Sequence, residues 1–145
     1  MKLEGTSTIP APRETVYKQL LNPEVLARSM PGCEKLDPQP DGSYHAQLKV
    51  GIAAAKGVYQ GRIEILDAVP PERFRLKVDG QGSGGFLKGE AMLTLTETEG
   101  TTTIRYSGDA QVGGLIASVG QRLIQGAAKQ VVNQFFEAFA KQIRA

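Results

Sequence analysis

The sequence predicts an α+β fold in which a curved antiparallel sheet surrounds one long C-terminal helix. Apolar and polar residues alternate along most of 33–112, and turn sequences such as "PDG", "AKG" and "TEG" interrupt the alternation. From Gly114 to about Ile143, apolar residues instead recur at helical spacing. A helix of that length has to lie across the sheet.

The first segments each show a recognisable element. "KLEGTSTIP" alternates as a strand does, and "PAPRETVYKQLLN" predicts a helix that begins near Pro12. A second, short helix is predicted in "NPEVLARSMPG". Asn22 is its N-cap, Pro23 its first residue, and the pair Pro31 and Gly32 ends it.

The region from Cys33 to Val112 is predicted to form an antiparallel meander, because its turns are too short to contain crossover helices. Side chains alternate between the two faces of a strand. This alternation predicts that the helix-facing side of the sheet includes Leu3, Ile63, Leu76, Leu93 and Ile104.

Small residues recur on the two surfaces predicted to face each other. The sheet contributes Gly61, Gly89 and Ala91, and the helix contributes Gly120 and Gly126. Either the two backbones approach closely there, or a space remains that an apolar ligand could fill. The pattern of residues leaves both interpretations open.

The cavity interpretation predicts a set of ligand-binding residues on the inner sheet face and the helix. Its tyrosines are of interest because a buried phenol usually seeks a hydrogen-bond partner, although ordinary core packing is an equal alternative. The predicted residues are Tyr44, Tyr59, Gly61, Phe74, Gly89, Ala91, Tyr106, Leu115, Val119, Gly120 and Leu123.

Length and composition exclude several classes of protein. The 145 residues fit one domain, 1–145, and a net charge of +2 without a basic run argues against nucleic acid as a partner. No apolar stretch is long enough to span a membrane, and no export signal begins the chain. A lone Cys33 cannot form an internal disulfide, so a reducing cytoplasm is expected.

No catalytic, metal or cofactor site is predicted. His45 is expected to point to solvent, and Cys33 to pack as a small buried side chain. "GQGSGG" matches a dinucleotide-binding pattern, but a strand follows it, so we interpret it as a flexible hairpin loop. At the mouth of a cavity such a loop could gate entry. The carboxylates Glu64, Glu90 and Asp109 fall on the outer face and do not form an acid/base pair.

Four segments resemble the CoxG family of carbon monoxide dehydrogenase subunits: "MKLEGTSTIPAP", "PEVLARSMPGCEKL", "GFLKGEAMLTL" and "YSGDAQVGGLIASVGQRLI". That family belongs to the helix-grip (SRPBCC) superfamily of START and Bet v 1-like domains. The resemblance implies a β-α-α-β6-α order around a hydrophobic cavity. It also implies an accessory role for molybdenum-containing carbon monoxide dehydrogenases or related hydroxylases, linked to membrane recruitment and to isoprenoid quinone.

The expected function is therefore a nonenzymatic carrier or accessory protein for a quinone or lipid. Many members of the family continue with an apolar tail, whereas this chain stops at Ala145, so membrane contact is expected to be peripheral at most. Two alternatives remain. One is a structural adaptor that recruits a dehydrogenase to the membrane without binding a ligand. The other is a small cyclase- or hydrolase-like enzyme, which would need acids and bases in the cavity.

Overall fold

A computed structural model describes residues 1–51 and 56–144, so the predicted "AKG" turn lies partly outside the described residues. Seven strands and four helices are found in these ranges. In chain order they are β1 (Lys2–Ile9), α1 (Arg13–Leu20), α2 (Pro23–Ser29), β2 (Cys33–Pro38), β3 (Tyr44–Val50), β4 (Gly57–Val69), β5 (Arg73–Gly82), β6 (Gly85–Thr98), β7 (Thr101–Gly113), α3 (Leu115–Ser118) and α4 (Gln121–Arg144).

The strands form one curved antiparallel sheet in the order β1-β7-β6-β5-β4-β3-β2. Strands β2 to β7 are neighbours in chain order, as the meander prediction requires. The first strand joins the far edge by pairing with the last, with Leu3 opposite Gly108. The predicted α+β architecture with a long C-terminal helix is therefore confirmed.

The two short helices begin where the sequence predicts. The Asn22 side chain accepts a hydrogen bond from the Glu24 amide at 3.1 Å, and Pro23 is the first residue of α2. Helix α1 begins directly after Pro12. The loop before α1 is fixed by Thr102, whose fully buried hydroxyl donates to the Ala11 carbonyl at 2.7 Å.

Burial follows the predicted alternation of the strands. Ile63, Leu93 and Ile104 are buried, whereas the outward residues Arg62 and Met92 are exposed. Leu3 and Leu76 are half-buried on the same side of the sheet. The inner face is thus the predicted one.

The core lies between this inner face, α1 and the second half of α4. Phe139 is fully buried, and it packs in one cluster with Ile9, Val16 and Ile104. Phe74 of β5 meets Tyr17 of α1 edge to face, with ring centroids 5.7 Å apart. These contacts hold α4 against the sheet by its C-terminal half.

The C-terminal helix differs from the prediction at its beginning. The expected continuous helix from Gly114 is a four-residue turn, α3, followed by a break and then the 24 residues of α4. The break falls at Gly120, whose φ of +99° is left-handed and is adopted easily only by glycine. The helix is therefore about 36 Å long at 1.5 Å per residue, shorter than expected.

The "GQGSGG" stretch is also more ordered than a flexible loop. Gly82 pairs with Gly85, so Ser83 and Gly84 alone form the turn between β5 and β6. The Gly84 carbonyl accepts a hydrogen bond from the Ile116 amide at 2.8 Å. This hairpin is consequently tied to α3.

Candidate ligand-binding site

An open cavity of about 960 Å³ lies beside the first half of α4. It extends from Gly51, at the end of β3, to the break between α3 and α4. Among the described residues its lining is Gly51, Val119, Gly120, Gln121, Arg122, Leu123, Gly126, Ala127, Gln130, Val131 and Gln134.

Helical spacing explains why these side chains share one surface. Relative to Leu123, the lining residues Gly126, Ala127, Gln130 and Gln134 lie three, four, seven and eleven positions further on. Such positions fall on one face of a helix.

The core face of α4 follows the same spacing but begins at Val132. Val132 lies nine positions after Leu123, which corresponds to two and a half helical turns. The cavity and the core therefore contact opposite faces of α4.

The cavity surface is apolar and exposed. Leu123 is 52 % exposed and Val131 is 44 % exposed, whereas large apolar side chains of the core are almost fully buried. Amides of three glutamines and the Arg122 guanidinium stand among these apolar groups. The surface can therefore cover an apolar molecule and offer it a few polar contacts.

Two glycines leave space at this surface. Among the described residues, no neighbouring atom would lie within 4 Å of a Cβ atom added at Gly120 or at Gly126. Gly120 also serves the backbone break, whereas Gly126 lies within regular helix. Because Gly126 has no side chain, it leaves space on the part of the helix surface that lines the cavity.

The glycines of the sheet have a different reason. A Cβ at Gly108 would collide with the Glu90 carbonyl oxygen and with Ala91. At Gly61 it would lie 3.1 Å from the Asp79 carbonyl oxygen. Close approach of neighbouring strands therefore accounts for these two positions, in agreement with the packing interpretation.

The three inward tyrosines divide by their hydrogen bonds. Tyr44 donates to the Leu21 carbonyl at 3.3 Å. Tyr106 stacks on Phe136 and packs against the core cluster. Tyr59 is 7 % exposed, and its hydroxyl has no partner among the described residues.

The structure brings together three of the eleven predicted site residues at the cavity: Val119, Gly120 and Leu123. Phe74, Ala91 and Tyr106 belong to the core or pack against it. Leu115 is 59 % exposed and lies outside the cavity lining. The remaining four, Tyr44, Tyr59, Gly61 and Gly89, lie on the inner face of the sheet.

Eight lining residues are absent from the list of predicted ligand-binding residues. The set comprises Gly51, Gln121, Arg122, Gly126, Ala127, Gln130, Val131 and Gln134. The small-residue pattern already places Gly126 on this helix surface, and the spacing of i+4 and i+7 from Leu123 adds Ala127 and Gln130.

The electrostatics of the cavity offer little for acid/base chemistry. Its lining within residues 1–51 and 56–144 contains no Asp, Glu, His or Cys side chain. Cys33 is half-buried rather than buried, and burial raises the pKa of its thiol. Its neutral thiol is a poor nucleophile. His45 is exposed, as predicted.

Glu64, Glu90 and Asp109 lie away from the cavity on the outer face, and Asp41 lies in the turn between β2 and β3. Arg62 contacts both Asp41 and Glu64 at 2.8 Å. Hydrogen bonds from the Ser43 hydroxyl and amide, together with Arg62, hold the pKa of the Asp41 carboxyl well below its usual range. Glu90 and Asp109 are exposed.

In the part of the chain that the structure describes, no three His, Cys, Asp or Glu side chains cluster closely enough for a metal ion.

None of the helices within 1–51 and 56–144 is long and apolar enough to cross a membrane.

Solved structures share this architecture. A conserved protein from Geobacillus kaustophilus is 34 % identical, with a TM-score of 0.95, and the alignment covers 99 % of this chain and 95 % of that one. A START superfamily protein from Mycobacterium smegmatis is 12 % identical, with a TM-score of 0.75 and coverage of 99 % and 97 %. Ara h 8.0201 is 17 % identical, with a TM-score of 0.74 and the same coverage. The last two likenesses show a START and Bet v 1-like helix-grip fold.

No curated protein matches the sequence at a significant level. The family model for CoxG, one of the subunits of carbon monoxide dehydrogenase, matches residues 5–144, which is nearly the whole chain. The segments that resemble this family lie within or overlap that range. The chain therefore belongs to the CoxG family of carbon monoxide dehydrogenase subunits.

Proposed function

We propose that this protein is a nonenzymatic accessory protein that holds an apolar ligand, a quinone or a lipid, for a molybdenum-containing carbon monoxide dehydrogenase or a related oxidoreductase. The observation that carries the proposal is the open apolar cavity beside Gly126, where the helix surface leaves space. Membership of the CoxG family supports the link to the dehydrogenase.

The size and lining of the cavity support an apolar ligand. Its volume of about 960 Å³ is at the upper end of the range of small-molecule sites, about 300–1,000 Å³. Covering an exposed leucine or valine side chain fully is worth about 1.5–3 kcal/mol. Because Leu123 and Val131 are both about half exposed, a ligand that covers them gains part of this free energy at each.

The cavity supports binding better than catalysis. A cyclase or hydrolase needs a positioned acid or base within hydrogen-bond reach of its substrate. The described lining offers glutamine amides and one guanidinium, which orient or neutralise a polar group but do not exchange protons near neutral pH. These groups suit recognition of a ligand's polar end.

We further propose that residues 1–145 form one helix-grip domain that acts in the cytoplasm, with peripheral contact at the membrane at most. The half-buried free thiol of Cys33 fits a reducing compartment. The ligand would come from the membrane, because quinones and lipids are stored there.

Native mass spectrometry of the purified protein tests this function, together with equilibrium dialysis against decylubiquinone. We expect a bound isoprenoid or acyl species that denaturation releases, and saturable binding of the quinone. A bare chain mass without quinone binding would overturn the proposal. If such a ligand-free protein still bound the dehydrogenase, the structural adaptor would be the correct function.

A further inference from the structure

Tyr59 is buried on the inner face of the sheet, and no described residue forms a hydrogen bond with its hydroxyl. Its side chain belongs to β4 and is 7 % exposed, whereas its neighbours Val58 and Gln60 are exposed. Within the described residues, two buried side-chain polar atoms lack a partner, and Tyr59 Oη is one of them. Such a group costs free energy unless something else satisfies it.

Two other tyrosine hydroxyls of the protein are satisfied internally. Tyr17 Oη donates to the Arg73 carbonyl at 2.9 Å, and Tyr44 Oη donates to the Leu21 carbonyl at 3.3 Å. Both bonds join a helix or its end to a strand. The hydroxyls of Tyr17 and Tyr44 therefore link α1 or its end to the sheet, whereas the Tyr59 hydroxyl makes no such link among the described residues.

Tyr59 lies among glycines on the inner face of the sheet. The ring lies over Gly82, its cross-strand partner, with three ring atoms 2.5–2.8 Å from the place of a missing Cβ. Gly61 and Gly80 form the next inward-facing pair of the same two strands. Among the described residues, a Cβ at Gly80 would make only ordinary contacts, at 3.8 Å and beyond.

Apolar residues at this end of the inner face are incompletely covered. Leu48, which pairs with Tyr59, is only partly buried. Its inward neighbours in the sheet, Val50, Val78 and Leu87, are also partly buried. A hydrogen-bonding group thus stands in an apolar surface that the helix leaves partly open.

We propose that Tyr59 Oη donates a hydrogen bond to an acceptor oxygen, such as a ring carbonyl, on the apolar ligand. This inference rests on the proposed function, since it assigns the polar contact of the same ligand. Leu48, opposite Tyr59, is three residues from Gly51 at the cavity. At about 3.3 Å per residue, the backbones of Leu48 and Gly51 are about 10 Å apart, and an elongated ligand can span this distance.

The hydroxyl would select for ligands that carry an acceptor. A site built around a buried hydrogen-bonding group discriminates strongly against analogues that leave it unpaired. The oxygen is covered in this structure, so an acceptor reaches it when the ring or a neighbour shifts. Gly61 and Gly80 carry no side chain that would oppose a shift of the ring.

The test compares Tyr59→Phe with wild type in binding to two ligands, decylubiquinone and decylbenzene, which lacks the carbonyl groups. We expect the variant to bind decylubiquinone about tenfold more weakly, because its carbonyl loses the donor, and to bind decylbenzene unchanged. Its melting temperature should stay the same or rise, since an unpaired buried hydroxyl is removed. The infrared carbonyl band of the bound quinone should shift between the two proteins.

Tyr17→Phe is the matched control. It removes a hydroxyl that links α1 to β5, so it should lower the melting temperature and leave the preference for quinone over decylbenzene intact. Equal quinone affinity of Tyr59→Phe and wild type would overturn the role of Tyr59 while leaving the carrier function standing. A Tyr59→Phe variant that loses both ligands equally would also overturn it. A wild type that binds neither ligand would overturn the proposed function itself.

Discussion

The ring of Phe136 on α4 stacks on the ring of Tyr106 on β7, with centroids 5.6 Å apart and planes 22° from parallel. Phe135 stacks in turn on Phe139, with centroids 6.0 Å apart. All three phenylalanines lie in the second half of α4, whereas Leu123 in its first half is half exposed. One half of the helix therefore holds the fold together, and the other half forms the cavity.

Phe139→Ala should destabilise the protein severely. The side chain is fully buried in the main cluster, and truncating such a phenylalanine typically costs about 3–5 kcal/mol. Urea unfolding followed by circular dichroism measures the change. A loss below about 1 kcal/mol would show that α4 is not anchored by this residue.

Gly126→Leu should block the ligand while leaving the fold intact. The added side chain would enter open space at the cavity, and a helical position gains up to about 1 kcal/mol when glycine is replaced by a better helix former. Thermal unfolding and decylubiquinone binding are measured together. Gly126→Ala is the control, because it gives the same helical gain but adds one methyl group and should bind nearly as wild type. Full binding by Gly126→Leu would place the ligand elsewhere.

Gly108→Ala should be destabilising in spite of the small change. The new Cβ would collide with the backbone of β6 at Glu90 and Ala91, so β6 and β7 would have to separate. Overpacking of this kind typically costs about 1–3 kcal/mol. Gly89→Ala serves as the control, because the Cβ at position 89 would make ordinary contacts at 3.5 Å and beyond. Gly100→Ala is less suitable, because the φ of Gly100 is +76°. Equal melting temperatures for Gly108→Ala and Gly89→Ala would contradict the close-approach argument.

Asp41→Asn should change how stability depends on pH. Ser43 and Arg62 hold the pKa of the folded Asp41 well below the unfolded value of about 3.9, so in acid the unfolded state binds more protons. The stabilisation from Asp41 is therefore fully present above about pH 5 and is lost as pH falls towards the folded pKa.

Urea midpoints of wild type and Asp41→Asn, measured between about pH 2 and pH 6, test this dependence. The difference between the two proteins should shrink as pH falls. Because the Arg62 pair is exposed, added salt should reduce the difference as well. Parallel curves across this range would show that Asp41 does not couple to folding.

The sheet was predictable because its signal is local. Alternation assigns Ile63, Leu93 and Ile104 to one face without reference to the rest of the chain, and their burial agrees. Asn22 and Pro23 likewise act within a few residues of themselves. Such features depend on backbone geometry that each short segment contains.

The cavity was less predictable because it depends on how α4 is rotated. Leu123 begins the series of cavity residues and Val132 the series of core residues, both at helical spacing, and the sequence alone does not say which series meets the sheet. The sequence also did not reveal the break at Gly120, because Leu115, Val119 and Leu123 keep helical spacing across it. Whether a described residue can pair with the Tyr59 hydroxyl depends on the placement of distant elements, which the sequence does not give.

The pairing of β1 with β7 has a consequence for how the chain folds. Leu3 and Gly108 are joined across more than a hundred residues, so the sheet closes only after nearly all the chain is available. Contacts this distant in sequence slow folding, because loop-closure entropy is lost before they form. During synthesis β1 stays unpaired until β7 has emerged from the ribosome. Early termination before β7 would leave a chain with its first strand open to aggregation.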